Sequence, residues 1–139
     1  MKNIQKIAIA GAGLGGLTAA ACLLDAGFDV TVYEQAPELG EVGAGIQISA
    51  NGSRVLHSLG LRTELEHIGV KPLSYEFYLF DSAERIQGFN LGADHEEKFG
   101  SSYYQFHRAD LHAILVGAVR TRKPDAIVLN KTLTGYDET

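Results

Sequence analysis

Short apolar runs alternate with amphipathic stretches along this chain, and the alternation predicts an α/β fold. Residues 6–10 form an apolar run that ends at a glycine, the pattern of a parallel strand buried on both faces. Residues 14–26 follow as a helix, with Leu14, Leu17, Ala21 and Leu24 on one stripe and Gly27 at the cap. Residues 28–33 return to strand, with Val30 and Val32 alternating. A loop over residues 35–46 contains Pro37, Gly40, Gly43 and Gly45, then turns extended through Ile48. Ser49 or Asn51 caps a helix over 52–59 that buries Val55, Leu56 and Leu59, and Gly60 ends it. A short helix follows near 63–68.

The second half breaks the alternation. Residues 75–80 form an aromatic strand, 81–84 a turn and 85–91 a partner strand, so this hairpin is expected in a second sheet. Residues 92–102 read as a loop or short helix, and 103–107 as a strand. A helix then runs to about Thr121 with Leu111, Leu115 and Ala118 on one face. Residues 126–129 predict a third parallel strand, and 132–136 the start of another.

The chemistry concentrates in Gly11-x-Gly13-x-x-Gly16, placed between the first strand and the first helix. Gly11 allows the tight turn. Gly13, lacking a Cβ, lets a pyrophosphate approach the backbone, and Gly16 lets helix and strand lie close. The helix start offers unpaired N–H groups and the positive dipole end to phosphates. Glu34 stands at the carboxyl end of the second strand, where a carboxylate accepts hydrogen bonds from ribose hydroxyls. That carboxylate repels a 2′-phosphate, which disfavours NADP at this site. Leu17 occupies a position where the short-chain-dehydrogenase pattern needs glycine. A dinucleotide site is therefore expected here.

Composition narrows the picture. Twelve Lys and Arg against 17 Asp and Glu give a net charge of −5, and no stretch concentrates the cations. Nucleic acid is not an expected partner. No apolar run approaches a membrane span. The first six residues are polar, without a leader pattern, and a single cysteine excludes an internal disulfide framework. A cytoplasmic location is expected, with Cys22 an inert buried thiol. His57, His67, His95, His107 and His112 lack metal-ligand spacing and read as surface or packed residues. Arg108 falls at a helix start, where a cation is unfavourable. It faces either an anionic ligand or Asp110. Arg54 is either a solvated charge or a cofactor contact.

Glu34, the Gly43-Ala44-Gly45-Ile46 loop, Asn51-Gly52 and His107-Arg108-Ala109-Asp110-Leu111-His112 occur in this order and at separations that carry a resemblance. The chain resembles the amino-terminal part of the single-component FAD-dependent aromatic hydroxylases, those similar to salicylate hydroxylase and 3-hydroxybenzoate 6-hydroxylase. The resemblance implies a Rossmann-like FAD-binding domain of glutathione-reductase type over residues 1–139. That domain is incomplete, with residues 72–107 contributing to a substrate-side sheet. It implies the FAD pyrophosphate on Gly11, Gly13 and Gly16, with Gly15 in the same turn. The adenosine ribose would lie on Glu34 beside Gln35, and Ala44, Gly45 and Ile46 along the flavin. Arg108 would reach the phosphate and ribityl region, and Leu133 the adenine.

The implied activity is hydroxylation of an aromatic substrate, a hydroxylated aromatic acid, by O2 through a flavin C4a-hydroperoxide, with NAD(P)H as co-substrate. The family's later Gly-Asp motifs and substrate residues have no counterpart, so the chain reads as about the first third of such an enzyme. No catalytic acid, base or nucleophile is expected within it.

Two other readings remain open. An NAD-binding dehydrogenase domain fits residues 11–34 equally well, although the glycine loop and aromatic hairpin depart from it. An amine-oxidase-type flavoprotein would need Gly-Gly-Arg where Leu39-Gly40-Glu41 stands. A non-catalytic nucleotide-binding fragment is the other reading. An unfinished sheet would expose an edge, and self-association is expected from it.

Overall fold

Val30 and Val32 are fully buried, and their strand is the spine of a parallel sheet. The computed structural model describes residues 5–40 and 43–138. It divides into two compact units, Met1–Val42 with Ala109–Thr139, and Gly43–Arg108. The expected loop over 35–46 therefore passes through Glu41 and Val42, which lie outside the described residues. So do Met1 to Ile4 of the polar start.

The first unit opens with β1 (Lys6–Ala10), α1 (Leu14–Asp25) and β2 (Asp29–Tyr33). β1 pairs with β2 in parallel from Lys6 opposite Asp29 to Ala10 opposite Tyr33. α1 packs on both strands, burying Leu17, Ala20 and Ala21. Leu14 and Leu24 are only half-buried, so the buried stripe is narrower than its leucines suggested. Cys22, expected to be buried, is half-buried too.

The second unit holds β3 (Gly45–Ile48), α2 (Ala50–Ser58), α3 (Arg62–Ile68), β4 (Ser74–Tyr78), β5 (Arg85–Asn90), α4 (Ala93–Phe99) and β6 (Tyr104–His107). β3 and β6 form one antiparallel ribbon, with Ile46 opposite Phe106 and Ile48 opposite Tyr104. Tyr104 and Phe106 are buried and stack at 5.3 Å. β4 and β5 form the expected aromatic hairpin as a separate two-stranded sheet. Ser49 is the N-cap of α2, and its hydroxyl bonds the Asn51 side chain.

The chain then runs through α5 (Arg108–Arg122) to β7 (Ile127–Val128), which adds to β2 in parallel. The sheet order is β1-β2-β7. α5 buries Leu111, His112, Leu115, Val116, Ala118 and Val119. Its end is fixed by two cations. Arg122 grips Asp25 with two hydrogen bonds of 2.6 and 2.8 Å, and Lys123 reaches Asp29 at 2.7 Å.

Further expectations fail. Val55, expected on the buried face of α2, is 40% exposed. Residues 132–136 form no strand; after Lys131 donates its N–H to the Glu34 carbonyl at 2.9 Å, the chain runs as exposed coil. A strand needs a partner ladder, and none is present beside this segment among the described residues. β1 is also not buried on both faces. Lys6, Ala8 and Ala10, which share one face of the strand, are exposed, while Ile7 and Ile9 on the other face are half-buried.

Candidate functional site

The turn after β1 is built on its glycines. Gly11 takes φ +97°, a left-handed conformation that disfavours a side chain. A Cβ at Gly16 would overlap the Gly11 carbonyl oxygen, so α1 can start this close to the strand only with glycine there. At Gly13 and Gly15 nothing lies within 4 Å of a Cβ position, which leaves open space over the backbone. Gly13 is the N-cap of α1, and the helix has no acidic residue in its first turn. Its dipole therefore faces that open side with no acidic residue in the helix's own first turn.

Between two of these glycines sits Ala12, only 2% exposed. Its N–H donates to Glu34 Oε2 at 2.7 Å. Its carbonyl lies 2.8 Å from His112 Nε2, and a carbonyl can only accept, so Nε2 carries the proton. Glu34 Oε1 accepts the Ala36 N–H at 2.9 Å. The Ala12 and Ala36 amides together hold the Glu34 carboxyl below the usual carboxylate range, against the opposing effect of burial. Glu34 is thus a half-buried, ionised acceptor whose two oxygens each already hold one backbone amide.

Beside it lies a cavity of about 250 Å³, lined by Gly11, Tyr33, Glu34, Gln35, Lys131 and Leu133 among others. It opens at the carboxyl ends of the parallel strands, where open α/β sheets bind ligands. Gln35 and Leu133 line this cavity with Glu34, Leu133 from exposed coil and not from the strand expected there. Sequence reading missed Lys131 and His112. Lys131 follows the short third strand, and only that strand's pairing shows that its neighbourhood returns to Glu34. His112 was grouped with the scattered histidines; its place on the buried face of α5 was the available signal.

The remaining candidates belong to the Gly43–Arg108 unit. Gly45 stands opposite His107 in the β3–β6 ribbon. A Cβ at Gly43 would overlap the His107 imidazole, so glycine is required where the chain crosses that ring. The Arg108 N–H donates to the Ala44 carbonyl at 3.1 Å. Ala44, Gly45, Ile46 and Arg108 are thereby gathered at one end of the ribbon. Gly45, Ile46, Gln47 and Gln105 line a cavity of about 580 Å³ there.

The same unit contains a buried polar chain. Ser53 Oγ lies 2.7 Å from Ser101 Oγ and donates to the Ser102 carbonyl at 2.7 Å. Ser101 Oγ lies 3.1 Å from His57 Nδ1, and Tyr104 Oη 3.3 Å from His57 Nε2. Among the described residues no group of His, Cys, Asp and Glu could hold a metal ion, and no helix is long and apolar enough to cross a membrane.

A parallel βαβ unit, a glycine turn opening its helix and an acidic residue ending its second strand define a dinucleotide-binding fold. The chain belongs to the NAD(P)-binding Rossmann-like domain family, whose pattern matches residues 9–78. Over 140 aligned residues it is 44% identical to 3-amino-4-hydroxybenzoate 2-monooxygenase of Streptomyces cremeus, covering 91% of this chain and 36% of that protein. It is 41% identical to 3-hydroxybenzoate 6-hydroxylase 1 of Aquipseudomonas alcaligenes, covering 96% of this chain and 34% of the relative. The structure of HpxO from Klebsiella pneumoniae, complexed with FAD and uric acid, matches with a TM-score of 0.82 at 29% identity, over 100% of this chain and 34% of that one. The chain thus spans about a third of the length of these proteins. The resemblance read from the motifs is to the same group of proteins.

Proposed function

We propose that this chain is the FAD-binding portion of an NAD(P)H-dependent flavoprotein monooxygenase acting on an aromatic substrate, a hydroxylated aromatic acid. The observation that carries the cofactor is Glu34, an ionised carboxylate fixed between the glycine turn and a cavity at the strand ends. The site fits the adenosine and pyrophosphate end of FAD in three respects. The backbone is open at Gly13 and Gly15, the start of α1 lacks acidic residues, and Glu34 keeps acceptor capacity for ribose hydroxyls. FAD is favoured over NAD by the second unit, where a glycine-bearing ribbon replaces a further crossover helix. The similarity to HpxO and to the two monooxygenases supports the same choice.

When bound, FAD accepts electrons from NAD(P)H and reacts with O2, the chemistry that hydroxylates an aromatic ring. The residues of this chain bind and orient. Gly11, Gly13, Gly15 and Gly16 would hold the pyrophosphate, Glu34 and Gln35 the ribose, and Leu133 the adenine side. Ala44, Gly45, Ile46 and Arg108 would serve the flavin and ribityl end. No residue is assigned a proton-transfer role. The proposed setting is cytoplasmic, consistent with the single cysteine and the acidic balance.

The visible absorption spectrum of the purified chain tests this reading. Flavin bands, present as isolated or restored by added FAD, support it. A colourless protein that binds NADH instead would support the NAD-binding dehydrogenase reading. Failure to bind either would favour the non-catalytic fragment reading.

A further inference from the structure

We propose that His112 is a positioning residue for the dinucleotide loop. Together with Glu34 it clamps Ala12, so that the glycine turn is set before a cofactor arrives. This rests on the dinucleotide reading above, and it adds a residue that acts through the Ala12 carbonyl.

Four of the six residues from Gly11 to Gly16 are glycines, the residue type that loses most backbone freedom on ordering. Such a turn needs external restraint to present one surface to a pyrophosphate. Ala12 supplies the point of restraint. Both of its backbone polar groups are used, one by the end of β2 and one by the buried face of α5. At 2% exposure Ala12 itself is nearly shut off from water that would replace either bond. The link from His112 spans 100 residues of sequence, so α5 holds the turn by contact rather than by chain connection.

The clamp also couples two parts of the site. A carboxylate offers about four acceptor positions. Glu34 uses one for Ala12 and one for Ala36, which leaves capacity for ribose hydroxyls. One side chain therefore holds the turn and can receive the ribose together. Removing the His112 N–H leaves the Ala12 carbonyl buried and unpaired and loosens the turn, and cofactor affinity falls without loss of any direct contact.

Three variants test this by reach. In His112→Gln the side-chain amide places a donor close to the position of Nε2. In His112→Asn the donor falls one bond short, and His112→Leu has none. FAD affinity should fall roughly fivefold to twentyfold in the Asn and Leu variants and stay within about twofold in the Gln variant. In the cofactor-free chain, hydrogen exchange at the Ala12 amide should quicken in the Asn and Leu variants and not in the Gln variant. Equal losses in Gln and Leu would overturn the proposal. So would unchanged Ala12 exchange in both Asn and Leu. Should the parent chain take up no FAD, the cofactor reading falls, and Ala12 exchange alone then decides the clamp.

Discussion

Glu34 serves two ends, and its substitution separates them from simple packing. Glu34→Ala removes a charged acceptor of the kind worth about 1.5–3 kcal/mol, so FAD should bind about tenfold to a hundredfold more weakly in a titration of the cofactor-free chain. Unchanged affinity would remove Glu34 from the site. Its pH behaviour follows from its environment. The Ala12 and Ala36 amides lower its folded pKa, so its contribution is complete above the ordinary glutamate value and is lost as pH falls through the lowered one. Gly16 also has a steric role. Gly16→Ala sets a methyl against the Gly11 carbonyl and should cost about 1–3 kcal/mol in denaturant unfolding, the range for overpacking. A Gly16→Ala chain as stable as the parent would show that α1 can move off the strand. Gly16 and Glu34 were legible in the sequence because each sits at a fixed place in a local motif. His112 and Lys131 were not, because their relation to Glu34 depends on packing of distant chain segments.

At the scale of elements, periodicity located the helices and the strands that have partners. The 132–136 segment has similar strand-like composition and stays coil, since composition cannot supply a neighbouring ladder. β1 shows the same limit from another side. Its apolar run predicts burial on both faces, but burial of a face depends on a layer packed over it, which composition does not supply. In the Gly43–Arg108 unit, α2 and β6 are joined through His57, which lies between Ser101 and Tyr104. Burial foremost, helped by the charges of Arg62 and Lys71 and opposed by Glu66 and Glu96, lowers the His57 pKa. The unfolded chain therefore binds a proton at His57 more readily than the folded one. Stability should fall as pH drops from the ordinary histidine value of 6.5 toward the lowered value, and then level off. Thermal unfolding across this window should show the loss, and His57→Gln should flatten it. A His57→Gln chain with the same pH slope as the parent would assign the effect to another group.

For the molecule as a whole, the notable quantity is apolar surface left in water. The β4–β5 hairpin exposes Tyr75, Phe77, Tyr78, Ile86 and Phe89, and its turn exposes Leu79 and Phe80, the last without any cover. Single exposed apolar residues are ordinary, but a contiguous aromatic set on a two-stranded sheet is a candidate contact surface. Among the described residues β1 is an edge strand, paired with β2 on one side. Net charge of −5 opposes association only weakly at physiological salt, because the Debye length there is about 8 Å. The chain should therefore self-associate as concentration rises, with the hairpin as the main contact. Light scattering over a concentration series reads this directly. Phe80→Ser with Ile86→Lys should shift the chain toward monomer and leave cofactor affinity unchanged, since neither residue belongs to the proposed site. Ala8→Lys on β1 separates the two surfaces: a larger shift from this variant would place the contact on the sheet edge. A parent chain that stays a monodisperse monomer throughout the series would show that neither surface drives association.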